Sequence, residues 1–68
     1  MTKNEINNYI INLRNKIKML NEKIKEAKEI NMENTDYINA MYEEINKTEK
    51  EVKYYEELYF QEEEKEKE

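Results

Sequence analysis

Residues 29–36 read Glu29-Ile30-Asn31-Met32-Glu33-Asn34-Thr35-Asp36, and how this stretch is read decides the fold. Asn34, Thr35 and Asp36 are good helix N-cap types, and Asn31 tolerates the left-handed conformation that closes a helix. A turn here would make two helices. The flanking pattern argues the other way. Before the stretch, steps of four and three run through Ile6, Ile10, Leu13, Ile17, Leu20, Ile24 and Ala27. Two further steps land on Asn31 and Asn34, and the apolar series resumes in the same phase at Ile38, Met41, Ile45, Thr48, Val52, Tyr55 and Tyr59. This is a heptad repeat with Ile or Val mostly at position a and mixed residues at d. A 3.5-residue period held for so long is a coiled-coil signal. A loop has no reason to keep the phase, and the chain contains no Gly and no Pro to mark one.

Outward from the seam, Thr2 reads as an N-cap with Glu5 three residues later, a capping box. After Phe60 the chain becomes Gln61-Glu62-Glu63-Glu64-Lys65-Glu66-Lys67-Glu68, an acidic tail expected to fray. The expected organisation is a single coiled-coil module over 1–60 followed by the tail over 61–68.

The flanking charges choose an orientation. In a parallel in-register dimer each g residue faces the e residue five further along its partner, which pairs Lys23 with Lys28, Glu44 with Glu49 and Glu51 with Glu56. Reversing one helix pairs positions whose numbers sum to 65. Ile10 then meets Tyr55, Leu13 meets Val52, Ile17 meets Thr48, Leu20 meets Ile45, Ile24 meets Met41, Ala27 meets Ile38 and Asn31 meets Asn34. At the edges Lys16 meets Glu51, Lys23 meets Glu44, Arg14 meets Glu49 and Lys3 meets Glu62. Each exposed pair is worth only a few tenths of a kcal/mol, but exchanging about six attractions for six repulsions amounts to roughly 3 kcal/mol at low salt. Volumes agree, because parallel packing would stack Ala27 on Ala27 and Thr48 on Thr48 and leave those layers under-filled.

The expected fold is therefore all-α, an antiparallel coiled coil. The reading preferred from phase is one continuous helix per chain, about 90 Å long, self-associating as a dimer or a four-helix assembly. The alternative is an intramolecular helical hairpin turning near 31–36, which makes the same layers. Asn31 and Asn34 are read as a register lock, each satisfying the other across the seam.

Composition narrows the function. The chain has 68 residues, 43% of them charged, and no His or Cys. Residues 1–34 carry seven Lys/Arg against five Glu, a net of +2, and residues 35–68 carry five Lys against twelve Asp/Glu, a net of −7, which together give the chain's −5. Such a chain is ill suited to nucleic acid, where affinity comes from neutralising phosphates. No apolar run is long enough for a membrane span or a signal peptide, so an intracellular, soluble, cytoplasmic protein is expected. Paired carboxylates such as Glu43/Glu44 and Glu56/Glu57 offer acid–base or metal chemistry only if they converge in a cleft, and a straight helix has none. No cofactor, no metal and no catalytic residue are expected. Asn46-Lys47-Thr48 matches a glycosylation sequon, but it lies on the seam-bearing helix.

The features left over point to association. Tyr54, Tyr55, Leu58, Tyr59 and Phe60 crowd the last turns, and Tyr54 and Phe60 fall at positions c and b, outside the seam. With Ile11 expected near Tyr54, this end is a candidate partner contact formed by Tyr54, Leu58 and Phe60. The expected function is a non-enzymatic interaction protein, a small scaffold or spacer that binds itself and a larger protein. The alternative is a small acidic hairpin regulator or inhibitor that docks on a larger protein.

Overall fold

The computed structural model describes residues 1–30 and 35–67, with side chains to Glu66. It is all-helical among those residues, with α1 spanning Lys3–Glu29 and α2 spanning Thr35–Lys67. The two pack against each other as a helical hairpin. The result is a rod of 55 × 15 × 13 Å.

Local chemistry explains the start of α1. Thr2 is extended, and its hydroxyl accepts from the Glu5 N–H at 3.2 Å while the Glu5 carboxylate accepts from the Thr2 N–H at 3.4 Å. Both halves of the expected capping box are present. Glu5 in the first turn and Lys28 in the last complement the helix dipole. At the other end Ile30 caps α1, its N–H donating back to the Glu26 carbonyl at 3.1 Å.

Of the two forms weighed, the structure takes the hairpin and does not show one continuous helix. The seam explains why the phase could not tell them apart. Folding α2 back onto α1 brings together the same antiparallel layers as two reversed long helices would, so the heptad phase suits either object. Asn31 and Asn34, and with them the register lock, lie outside the described residues.

The seam is buried within one chain. Ile6, Ile10, Leu13 and Val52 form one cluster, with Ile17, Tyr55, Leu58 and Tyr59 packed on it. Ile24, Met41 and Ile45 form the second, with Ile17, Leu20 and Ile38 packed on it. Ala27 is buried near the closed end, where the chain reverses. Ile17 belongs to both clusters. The residue expected opposite it, Thr48, is fully buried at 0% exposure, and its hydroxyl donates to the Glu44 carbonyl one turn back at 2.7 Å. That bond keeps a polar group satisfied in an apolar seam. It also disposes of the sequon, whose hydroxyl points into the core.

Residues 61–67 continue α2 as helix. Lys3 holds this last segment, lying 3.7 Å from Glu63 and 3.1 Å from Glu66. The expected partner was Glu62. Side chains lean toward the N-terminus of their own helix, so Lys3 reaches past the start of α1 and onto the final turns of α2.

Candidate interaction surface

With the seam closed within the chain, the rod presents two long sides that flank it. At 100° per residue, positions g and c of both helices line one side, and e and b line the other. The ion pairs fix this geometry. Lys16 and Glu44, both at g, meet with the Lys16 Nζ donating at 2.7 Å. Arg14 and Glu56, both at e, meet with the Arg14 Nη2 donating at 2.9 Å.

Each of these pairs is displaced one heptad from the expected one. Lys16 bonds Glu44 instead of Glu51, and Arg14 bonds Glu56 instead of Glu49. Lys23, expected on Glu44, makes no ion pair among the described residues. The physical reason is that an edge residue stands between two partner positions about 10 Å apart along the rod, and a long side chain reaches either. Arg14 follows the lean toward its own N-terminus. Lys16 goes the other way, with Glu51 acting on it at longer range. The antiparallel sense implied by the charges stands, while the particular partners change.

The bond from Lys16 holds the Glu44 carboxyl below its usual range, reinforced by the Lys16 charge. The same bond raises Lys16. Lys3 is raised by its hydrogen bond to Glu66 and by the charges of Glu66, Tyr59 and Glu63. Its Nζ also stands 5.3 Å from the centre of the Tyr59 ring. At the closed end the Lys28 Nζ donates to the Tyr42 hydroxyl at 2.9 Å on the e side.

The aromatic end divides in two. Tyr9 and Tyr55 stack at 4.7 Å between ring centres, and Tyr54 meets Tyr55 edge-on at 5.2 Å, all toward the g side. Loss of solvation pushes the Tyr55 hydroxyl up, with the neighbouring Tyr9 and Tyr54 adding to the shift. Phe60 lies on the e side, 6.3 Å from the Tyr59 ring, and lines a hollow of about 220 Å³ with Asn7, Ile10, Arg14, Glu56 and Tyr59. Tyr54 at 59% exposure and Phe60 at 60% are therefore both solvent-facing but do not form one patch. Six residues of helix place them about 120° apart. The sequence held this signal, because the same arithmetic puts Ile11 at b with Phe60 and away from Tyr54. Leu58, half-buried at g, sits on the Tyr54 side.

The closed end carries apolar residues at g as well. Ile30 is 71% exposed, and with Lys23, Glu26, Ala27, Glu29 and Tyr37 it lines a hollow of about 520 Å³. Ile30 and Tyr37 are both g residues. Met19, at c, is exposed midway along the same side. Among the described residues no group of three acidic, His or Cys side chains is placed to hold a metal ion, and no helix is long and apolar enough to cross a membrane.

No protein-family model, curated protein or solved structure matches this chain.

Proposed function

We propose that the chain is a non-enzymatic interaction protein, a helical hairpin that serves as a small scaffold, spacer or subunit of a larger assembly and works inside the cell. One observation carries this reading. The seam is satisfied within the chain, yet large apolar side chains (Tyr9, Met19, Ile30, Tyr54 and Phe60) remain on the outside of a rod only two helices thick. Apolar area in that position gains most by being covered by protein. The non-enzymatic part rests on composition, which supplies no His, Cys or Gly-rich loop.

A second reading has its own support. Asp36, Glu43, Glu57 and Glu64 share the heptad f position and are all exposed, giving α2 an acidic outer edge interrupted only by Lys50. Such an edge suits a regulator that blocks a basic surface on a larger protein.

The test is retention of a protein by the immobilised full chain at low and high salt. The scaffold reading expects salt-resistant retention that is lost in Tyr54→Ala or in Phe60→Ala; comparing the two single variants identifies the side that docks. Retention abolished by salt and by reversing Asp36, Glu43 and Glu57 to Lys would give the function to the acidic edge. A chain that retains nothing and is monomeric in solution would overturn both readings.

A further inference from the structure

We infer that the g side of the hairpin is built for a second copy of this chain, which covers it to form a four-helix bundle with the two rods side by side and their closed ends together. The inference rests on the interaction reading above and names the partner.

The side is apolar at both ends and charged in the middle. At the open end stand Tyr9, Leu58 and Tyr54, and at the closed end Ile30, Tyr37 and Ala40. Between them the g positions carry Lys16 and Lys23 on α1 and Glu44 and Glu51 on α2, while the c positions at the rim add Glu26 and Lys47 with the opposite signs, and Lys65 stands at g beyond Leu58. This pattern complements itself under one symmetry. A two-fold axis along the rod lays α1 of each copy against α2 of the other, with every level matched. Lys16 and Lys23 then face Glu51 and Glu44 of the second copy, Tyr9 faces its Leu58 and Tyr54, and Ile30 faces its Tyr37 beside the hollow at the closed end. All four neighbouring helices run antiparallel, the arrangement of an up-down-up-down bundle. A two-fold axis across the rod would lay α1 on α1 and α2 on α2, setting Lys against Lys and Glu against Glu. Charge selects the first arrangement.

Two further observations agree. Lys23 and Glu51 make no ion pair among the described residues, and the arrangement gives each an opposite charge in the second copy. A face as long and wide as the rod, 55 × 15 Å, has a footprint of about 800 Å², the size that one partner brings to a standard stable interface. The other long side has the same charge sense, with Arg14, Lys18, Lys25 and Lys28 on α1 and Glu49, Lys53, Glu56 and Glu63 on α2, so charge sets the axis and does not choose the side. Apolar residues choose it: the e side exposes Ile11, Tyr42 and Phe60, whereas the g side exposes Tyr9, Met19, Ile30, Tyr37 and Tyr54. A two-helix core is also small for independent stability, and self-association is a common remedy at this size.

The experiment is light scattering on the full chain across a concentration series, with small-angle X-ray scattering on the same samples. Twice the chain mass with a maximum dimension near that of the hairpin is expected. Tyr54→Glu combined with Ile30→Glu should weaken the dimer about 100-fold without loss of helicity, since both side chains are exposed in the hairpin. Phe60→Glu, on the other side, should leave the dimer intact. A wild-type chain that stays monomeric at every concentration overturns this inference and leaves docking on a different protein to the retention experiment. A dimer indifferent to Tyr54→Glu with Ile30→Glu, or one broken by Phe60→Glu, overturns the choice of side. A maximum dimension near 90 Å, the length of two swapped continuous helices, overturns the hairpin bundle itself.

Discussion

Thr48 has no exposure, and the heptad pattern sets it opposite Ile17, on which both apolar clusters pack. Its hydroxyl donates to the Glu44 carbonyl, which as a mid-helix carbonyl already accepts from the backbone N–H of residue 48. Removing the hydroxyl orphans nothing, so the methyl of Val in the same space should be favoured. Thr48→Val is expected to stabilise the hairpin by about 1 kcal/mol, read as a rise of roughly 4–8 °C in Tm. A fall in Tm would show that the hydroxyl supports the bend of α2 and is more than tolerated. Glu44 supplies a second test at this scale. Its carboxyl is held below its usual value by Lys16, so its contribution is present above the unfolded value and lost as pH falls through the folded one. Lys16 is raised, so its share is intact below its unfolded value and disappears only in strong base. Glu44→Gln should therefore melt slightly below wild type at neutral pH and coincide with it once the pH has fallen below the lowered folded value of Glu44. A gap that persists in acid would mean that Glu44 acts through packing instead of charge.

At the scale of the helix, what periodicity and capping encode is present in the structure. The capping box at Thr2 and Glu5 forms as read, and Thr2→Ala should cost about 1 kcal/mol, with the loss of helicity on heating beginning at the open end. Unchanged Tm would mean that the first turn of α1 is held by Lys3 on α2 and not by its cap. The heptad positions were legible because burial repeats along the chain: every seam residue from Ile6 to Ala27 and from Ile38 to Tyr59 is buried or half-buried. The place of a break was legible in the cap types around Asn34-Thr35-Asp36, and α2 starts at Thr35. Whether the chain breaks there was not legible, because a hairpin and a continuous pair impose the same phase on Ile24 and Ile38, and the stretch between them holds no Gly to mark a reversal. The charge partners were only half legible. Sequence fixes which sign faces which, but Arg14 and Lys16 each stand between two Glu residues a heptad apart, and side-chain reach settles the choice. The separation of Tyr54 from Phe60 was legible from helical angle alone, and closeness in sequence obscured it.

At the scale of the whole molecule, a rod one seam thick places every residue within one side chain of solvent or of the partner helix, and its ends differ. The open end gathers Tyr9, Tyr54, Tyr55, Tyr59 and Phe60, while the closed end is aliphatic but for Tyr37 and Tyr42. This asymmetry has a practical result. The chain has six Tyr and no Trp, and the Tyr55 ring lies 4.7 Å from that of Tyr9 on the other helix and 5.2 Å from that of its neighbour Tyr54. Transition dipoles held so close and at fixed angles couple in the two pairs that share Tyr55. The near-ultraviolet dichroism of the protein is then dominated by one spot on the rod, the place where the two termini are zipped together. The molecule thus carries a built-in optical gauge of its own open end, readable without any label, that would fade on fraying there while the far-ultraviolet helix signal barely changed.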